Sequence, residues 1–437
     1  MKADISRDTF QAARDIRRVI AQQGRPWLDA DWNEQVSVLL HRLETLAADV
    51  FGEYAAIGDG FKVGDPVPGE THKFSVGAGR YYVHGLMCES EGTWDPPAMK
   101  HEPGQPYLVY IHAWEEYESG AEDPAMVEPA LRGIDTAGRT RIRWDIGCVA
   151  AEGTRKPGDD EEPAWTAFKN DREKPAARLK LRTRARPAAG DPARSRGRTA
   201  YRIDNTLYRV EVHSVKKTGS ASVKWARNNG STVLAVSPEG SSLKVHNAGD
   251  LDGAFQSNRW IEITQGPGHD SSDATGPLHE INSVDREAGV IHVTPAPPSG
   301  DTLFARPWLG YQELQDFKPA WVPLDESLEF GVEAAVNEEL RPGQFWIIPV
   351  RTEGGGQVYW PLKVPRQGIV NHWLPLDAKL EPALPHEPDL CGHQHLSDDG
   401  TVAREHYYGA LALITFDKDG RFASVPTDLR KPFPRKP

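Results

Sequence analysis

The sequence predicts a mainly β protein, built of several sandwich- or barrel-like β modules with one N-terminal amphipathic helix. Three observations carry that expectation. From residue 65 onward, short β-type apolar runs recur between turn residues, and the 40 Gly and 35 Pro punctuate the 437 residues without gathering into one tract. A single strong helical periodicity stands near the N-terminus. No similarity repeats at a fixed period of about 20–50 residues, which disfavours a solenoid or propeller and leaves sandwich or barrel modules.

The elements follow in order. In residues 1–64, an arm leads into apolar positions Val36, Leu39, Leu40, Leu43, Leu46, Ala47 and Val50, the spacing of one buried helical face. Asp31 is placed to cap that helix, Glu34 stands three residues on as in a capping box, and Gly52 supplies the stop. Residues 65–150 read as a β-rich domain, with strands at Lys73 to Val76, Arg80 to Cys88, Tyr107 to Trp114 and Thr140 to Ile146, and a short helix at Pro124 to Leu131. Residues 151–199 read as a basic polar linker. Residues 200–375 form a second β-rich domain, in which Asn228-Asn229-Gly230 reads as a hairpin turn with Gly230 free to take positive φ. Residues 376–437 are a C-terminal segment with one more apolar run, Tyr407 to Phe416.

Particular residues also carry a resemblance. Met1 to Phe10, followed by Gln22-Gln-Gly-Arg-Pro-Trp-Leu-Asp-Ala-Asp-Trp-Asn-Glu-Gln35, resembles the start of a bacterial family of uncharacterised proteins. That family opens on Lys-Gly-Asp-Phe-Ser-Arg-Asp-Thr-Phe and continues Gln-Gln-Gly-Arg-x-x-Leu-Asp-Ala-Asp-Trp-Asn-Glu-Gln; here Ala3 and Ile5 replace its Gly and Phe. Similar segments recur at Glu122-Asp-Pro124, Asp135-Thr-Ala137, Leu207-Tyr-Arg-Val-Glu211, Lys224-Trp-x-Arg-x-Asn-Gly230 and Phe345-Trp-Ile-Ile-Pro-Val-Arg351, so the resemblance spans roughly residues 1 to 375. Ile134 departs from the family's Gly-Pro. The resemblance implies an association with contractile, phage-tail-like injection particles and names no activity.

Composition bounds the function. A net charge of −12 argues against nucleic acid as a partner, because phosphate binding needs a basic surface. No apolar run approaches the ~18 residues of a membrane span, and charges stand where a signal peptide has its apolar core. Cys88, Cys148 and Cys391 are odd in number and widely spaced, so they form no disulfide framework. Cytoplasmic synthesis and assembly are expected, with an extracellular location for copies carried on a released particle. The partners expected are other subunits of that particle, in multiple copies.

No phosphate loop, nucleophile elbow or His-Glu-x-x-His is present. Cys391, His393 and His395 would share one face of an extended segment and offer zinc its preferred ligands; the competing reading is a polar loop, and no other cofactor is expected. Asp29 and Asp31 read as helix-start residues favourable to the dipole rather than an acid–base pair. Glu115, Glu116 and Glu118 read as an exposed acidic edge. Trp225, Trp346 and Trp360 lie in strand patterns and read as core, whereas Trp27 and Trp32 flank the helix start and read as interface anchors. The helix would dock through Trp27, Trp32, Val36, Leu39, Leu43 and Leu46. Arg178, Lys180, Arg182 and Arg184 alternate as in a half-exposed strand and offer a basic docking strip for an acidic neighbour, against the plainer reading of a solvated linker.

Two functions remain open at this level. One is a non-enzymatic structural or adaptor subunit of a phage-tail-like contractile particle, at or near the baseplate. The other is a carbohydrate-binding or carbohydrate-active β protein. A solvent-facing apolar helix stripe would favour the first; a cleft with two carboxyl groups or a row of exposed Trp would favour the second.

Overall fold

A computed structural model describes residues 2–6, 9–10, 12–64, 71–95, 100–131, 134–151, 162–172, 178–183, 206–216, 220–246, 251, 259–265, 275–314, 321–324, 328–333, 340, 342–350, 357–364, 368–375 and 406–433. The chain is strand-rich, with an N-terminal helix and several sheets, one of them a closed barrel. It divides into two compact units that interleave along the sequence: residues 1–38, 117–140 and 175–404 in the first, and 39–116, 141–174 and 405–437 in the second. Helix α1 (Asp29–Phe51) crosses the division at Val38/Leu39.

In the first unit, a four-stranded sheet runs Gly310–Leu314, Ala221–Ala226, Thr206–Val215, Phe345–Val350. Both Thr206–Val215 and Ala221–Ala226 are buried almost throughout, so their polar members lie inside as well. Six further strands close a barrel in the order Leu234–Glu239, Ser242–Val245, Val290–Thr294, Leu278–Asp285, Trp260–Thr264, Leu303–Trp308. Alternate residues fill it: Leu234 and Val236, Leu243 and Val245, Ile261 and Ile263, Ile291 and Val293, Leu303 and Ala305. Period-two side chains and strand closure explain both the apolar interior and the absence of an edge on this sheet.

Among the described residues, the second unit holds two four-stranded sheets. One contains Tyr54–Ile57, Gly79–Val83 and Leu86–Ser90; the other pairs His406–Thr415 with Pro106–Glu118, from His406 opposite Trp114 to Thr415 opposite Pro106. Helix α2 (Pro163–Arg172) lies within the stretch read from sequence as linker. Proline is tolerated in its first turn, Trp165 and Phe168 form its buried face, and Lys169 and Arg172 complement the dipole at its end. Tyr54, Tyr81, Val83, Leu108, Ile111, Trp165, Leu411 and Phe416 belong to one core.

Several expectations are revised. Arg80 to Cys88 is a hairpin rather than one strand: His84 and Gly85 both take positive φ (48° and 88°), the geometry of a two-residue turn whose twist matches its strands. Asn228–Gly230 is a 3₁₀ turn, and the strands on either side of it do not pair with each other, although Gly230 does take positive φ. The Pro124 to Leu131 segment is two short 3₁₀ turns around a two-residue strand. The Tyr407 to Phe416 run matches the His406–Thr415 strand, and Trp225 and Trp346 are buried. The side chain of Trp360 lies outside the described residues.

Candidate functional site

Helix α1 is inverted. Trp32, Val36, Leu39, Leu43, Leu46 and Val50, the residues of its apolar stripe, are exposed by 39–63%. Leu28 and Leu40 are exposed beside them, as is Trp27, whose ring lies 6.1 Å from that of Trp32. The periodicity expected of a buried face is real, but the chain does not bury it. This is the most prominent exposed apolar feature among the described residues, since the other exposed large hydrophobics are scattered singly.

The helix is held to the protein at its N-terminal turns and along its far side. Ser6 donates to Asp29 through both its backbone N–H and its hydroxyl, each at 2.7 Å, Thr9 Oγ1 donates to Glu34 at 2.5 Å, and the Val19 N–H donates to Gln35 at 2.8 Å. Ala30 and Val38 are buried on this side. Partial burial works against ionisation of Asp29, but the Ser6 hydrogen bonds and nearby backbone N–H groups hold its carboxyl below the ordinary value. The helix begins at Asp29, with Leu28 O accepting from Asp31 and Trp32, so Asp31 is not the cap. Glu34 serves Thr9 instead of closing a capping box. Gly52 ends the helix as expected, at φ 82° with its N–H on Ala48 O at 2.7 Å.

In the second unit, Gly85 seats under the helix: a Cβ there would run into the backbone of Glu44. Phe51 stacks on Tyr82 at 4.3 Å and meets Phe433 edge-on at 4.9 Å. Burial, reinforced by the charge of Glu115, raises the Glu44 carboxyl to about 7. Glu116 and Glu118 are buried, and Arg143 Nε donates to Glu116 at 2.7 Å, so these acids do not form the exposed edge that their sequence position suggested.

The second concentration of chemistry is a buried ion network in the first unit, and sequence reasoning missed it. Arg209 and Glu211 stand two apart on Thr206–Val215 and therefore on one face; Lys224 lies directly opposite Glu211 on Ala221–Ala226, and Glu262 comes from the barrel. Lys224 Nζ bridges the two carboxylates, at 3.1 Å from Glu211 and 2.6 Å from Glu262. Arg209 Nε reaches Glu211 at 2.7 Å, and Lys2 Nζ from the N-terminal arm reaches it at 3.4 Å. Trp308 Nε1 and the Gly276 N–H each donate to Glu262 at 2.9 Å. Asn229 donates to Ala3 O at 3.1 Å and accepts from Arg209, which fixes the arm beside the network. The Lys224 ammonium lies 4.4 Å from the Trp308 ring centroid.

Burial alone would raise both carboxyls. Lys2, Lys224 and Arg209 hold Glu211 well below its ordinary value, while Lys224 lowers Glu262 against the repulsion of Glu211. A glycosidase general acid needs a raised carboxyl facing substrate. This pair is sealed from solvent and ionised, which makes it a clamp. Cys88 and Cys148, both pushed to about 12 by burial, are poor nucleophiles.

The remaining sequence candidates divide. Arg178, Lys180 and Arg182 occupy alternate positions of the strand Arg178–Thr183, whose register on Leu328–Glu333 sets position 178 opposite 333 and 182 opposite 329, so an acidic position faces two of the three. Arg184, Cys391, His393 and His395 lie outside the described residues. Among the described residues, no group of three or more His, Cys, Asp or Glu is placed to hold a metal, and no helix is long and apolar enough to cross a membrane. Opposite charges at Arg209 and Glu211, two apart inside an apolar strand run, were the sequence signal for the buried network. No curated protein and no solved structure matches the chain. Residues 1–158 match a family described as a family of unknown function, DUF6519.

Proposed function

We propose that the protein is a non-enzymatic structural or adaptor subunit that acts through protein–protein contact, with α1 as its docking element, in a phage-tail-like contractile particle at or near the baseplate. The observation that carries the contact reading is the outward apolar stripe of a helix whose Asp29, Glu34 and Gln35 are already bonded by its own chain. A stripe of this size facing water is costly unless another surface covers it. The particle itself rests on the resemblance of the N-terminal segments, and assembly in the cytoplasm with later release on the particle follows from it. Trp27 and Trp32 give the carbohydrate reading a foothold, but their rings are inclined by 45° and run into an aliphatic stripe, unlike a flat sugar platform.

The test is co-purification from a lysate containing the particle, using the wild-type chain and Leu39→Asp or Leu43→Asp. Wild type is expected to bring down sheath, tube or baseplate subunits, and either substitution to abolish this while the protein stays folded. Particles that assemble normally with either variant would end the docking role of α1. Hydrolysis of a glycan at a useful rate would favour the carbohydrate reading.

A further inference from the structure

The exposed stripe has a more specific pattern than amphipathicity. Trp32, Val36, Leu39, Leu43, Leu46 and Val50 are spaced alternately by four and three residues, the 3.5-residue period of a coiled-coil seam. Val36, Leu43 and Val50 take the a positions, and Trp32, Leu39 and Leu46 the d positions. All six are exposed, whereas Ala30 and Val38, the buried residues of the helix, fall at b and c on the far side. An ordinary surface helix turns such a seam inward; here it stays exposed from Trp32 onward, while the arm is tied to the helix at Asp29, an a position ahead of the seam, at Gln35, a g position on its flank, and at Glu34 on the far side.

We propose that a second copy of this chain covers the seam, α1 pairing with α1 in parallel and in register to form a two-stranded coiled coil. This rests on the docking reading and names the occupant. Three arguments select it. The first is area: with whole-residue areas of roughly 150–250 Å², the fractional exposures of Leu28, Leu40 and the seam sum to about 750 Å², near the ~800 Å² per partner of a stable interface. The second is side-chain shape. β-branched residues at a with Leu at d favour two parallel strands, and two of the three a positions are Val and two of the three d positions Leu. The third is charge. Arg42 is the cationic g position; in a parallel pair it faces Ala47 of the other copy, whereas an antiparallel pair in the matching register brings the two Arg42 side chains together. Leu40, at e, extends the apolar contact along the seam's flank.

Sedimentation equilibrium of the full chain at micromolar concentration reads the mass. A mass twice that of one chain is expected. The double variant Leu39→Asp/Leu43→Asp should raise the dimer dissociation constant by at least ~100-fold with unchanged far-UV circular dichroism. Orientation is read by Val50→Cys, which leaves the seam otherwise intact. In a parallel pair the new thiols meet at one layer and mild oxidation gives a cross-linked dimer, whereas in an antiparallel pair they stand at opposite ends. A wild-type monomer, a dimer unaffected by the double substitution, or a dimer that Val50→Cys does not cross-link would each overturn the proposal. A monomer that still loses particle capture through Leu39→Asp would leave the docking reading standing and assign the seam to a different protein.

Discussion

The two most unusual regions of the molecule break the ordinary rule of burial in opposite directions. Around Glu211 and Glu262 charges lie inside; along α1 apolar side chains lie outside. The buried charges are answered within the chain: each carboxylate meets Lys224, and Arg209, Lys2, Trp308 and the Gly276 N–H take up remaining oxygen capacity. The exposed seam has no such answer among the described residues. A violation satisfied internally reads as architecture, and one left open reads as a place for a partner.

The comparison can be broken most forcefully at Lys224. Lys224→Ala would strand two buried carboxylates against one another, and chemical denaturation should show a loss of roughly 3–5 kcal/mol. A loss within experimental error would mean that the network holds nothing. The seam should behave in the reverse way: Leu39→Asp or Leu43→Asp should move the stability of the monomer by only about 0.5 kcal/mol, because there the side chains already face water, while association falls. Unfolding by either change would show that the stripe is core to its own chain.

A subtler difference is pH. Glu44 has its folded value raised from 4.5 to about 7, so its protonated form favours the folded state, and that contribution is lost as pH rises from the unfolded value through about 7. Discounted for its partial exposure, the effect is roughly 1–2 kcal/mol. Glu44→Gln should flatten the fall in melting temperature between about pH 5 and 8; an unchanged slope would remove Glu44 as its source. Glu211 and Glu262 have the opposite sign, since their lowered values stabilise the fold above the ordinary carboxylate range and fail in acid. The smallest effect is expected for Lys2→Ala. Glu211 keeps Arg209 and Lys224, so about 1 kcal/mol is lost, and limited proteolysis should cut the arm faster. An arm that stays equally resistant would show that the Asn229–Ala3 contact is sufficient to hold it.

Much of the fold was legible because apolar periodicity tracks backbone geometry. The α1 stripe, the Gly52 stop and strands such as Thr206–Val215, Ala221–Ala226 and His406–Thr415 follow from it directly. Other elements were hidden for physical reasons. The apolar run Arg80 to Cys88 continues through its turn, so only the two positive φ angles at His84 and Gly85 reveal the hairpin. Leu278–Asp285 closes the barrel while carrying Glu280, Asn282 and Ser283, and its outward polar residues masked it. The burial of Arg209 and Glu211 was hidden because a single strand cannot disclose that a second layer covers it. Periodicity likewise found the α1 stripe without saying which way it points; that depends on Ser6, Thr9 and Val19, far away in sequence.

The seat of Glu44 on Gly85 offers a mechanical handle. Because backbone meets backbone there with no room for even a methyl group, Gly85→Ala would act as a wedge beneath the helix, strained by its left-handed torsion as well. Such a wedge would change the angle at which the helix is presented without altering any atom on its outer surface, separating recognition from posture.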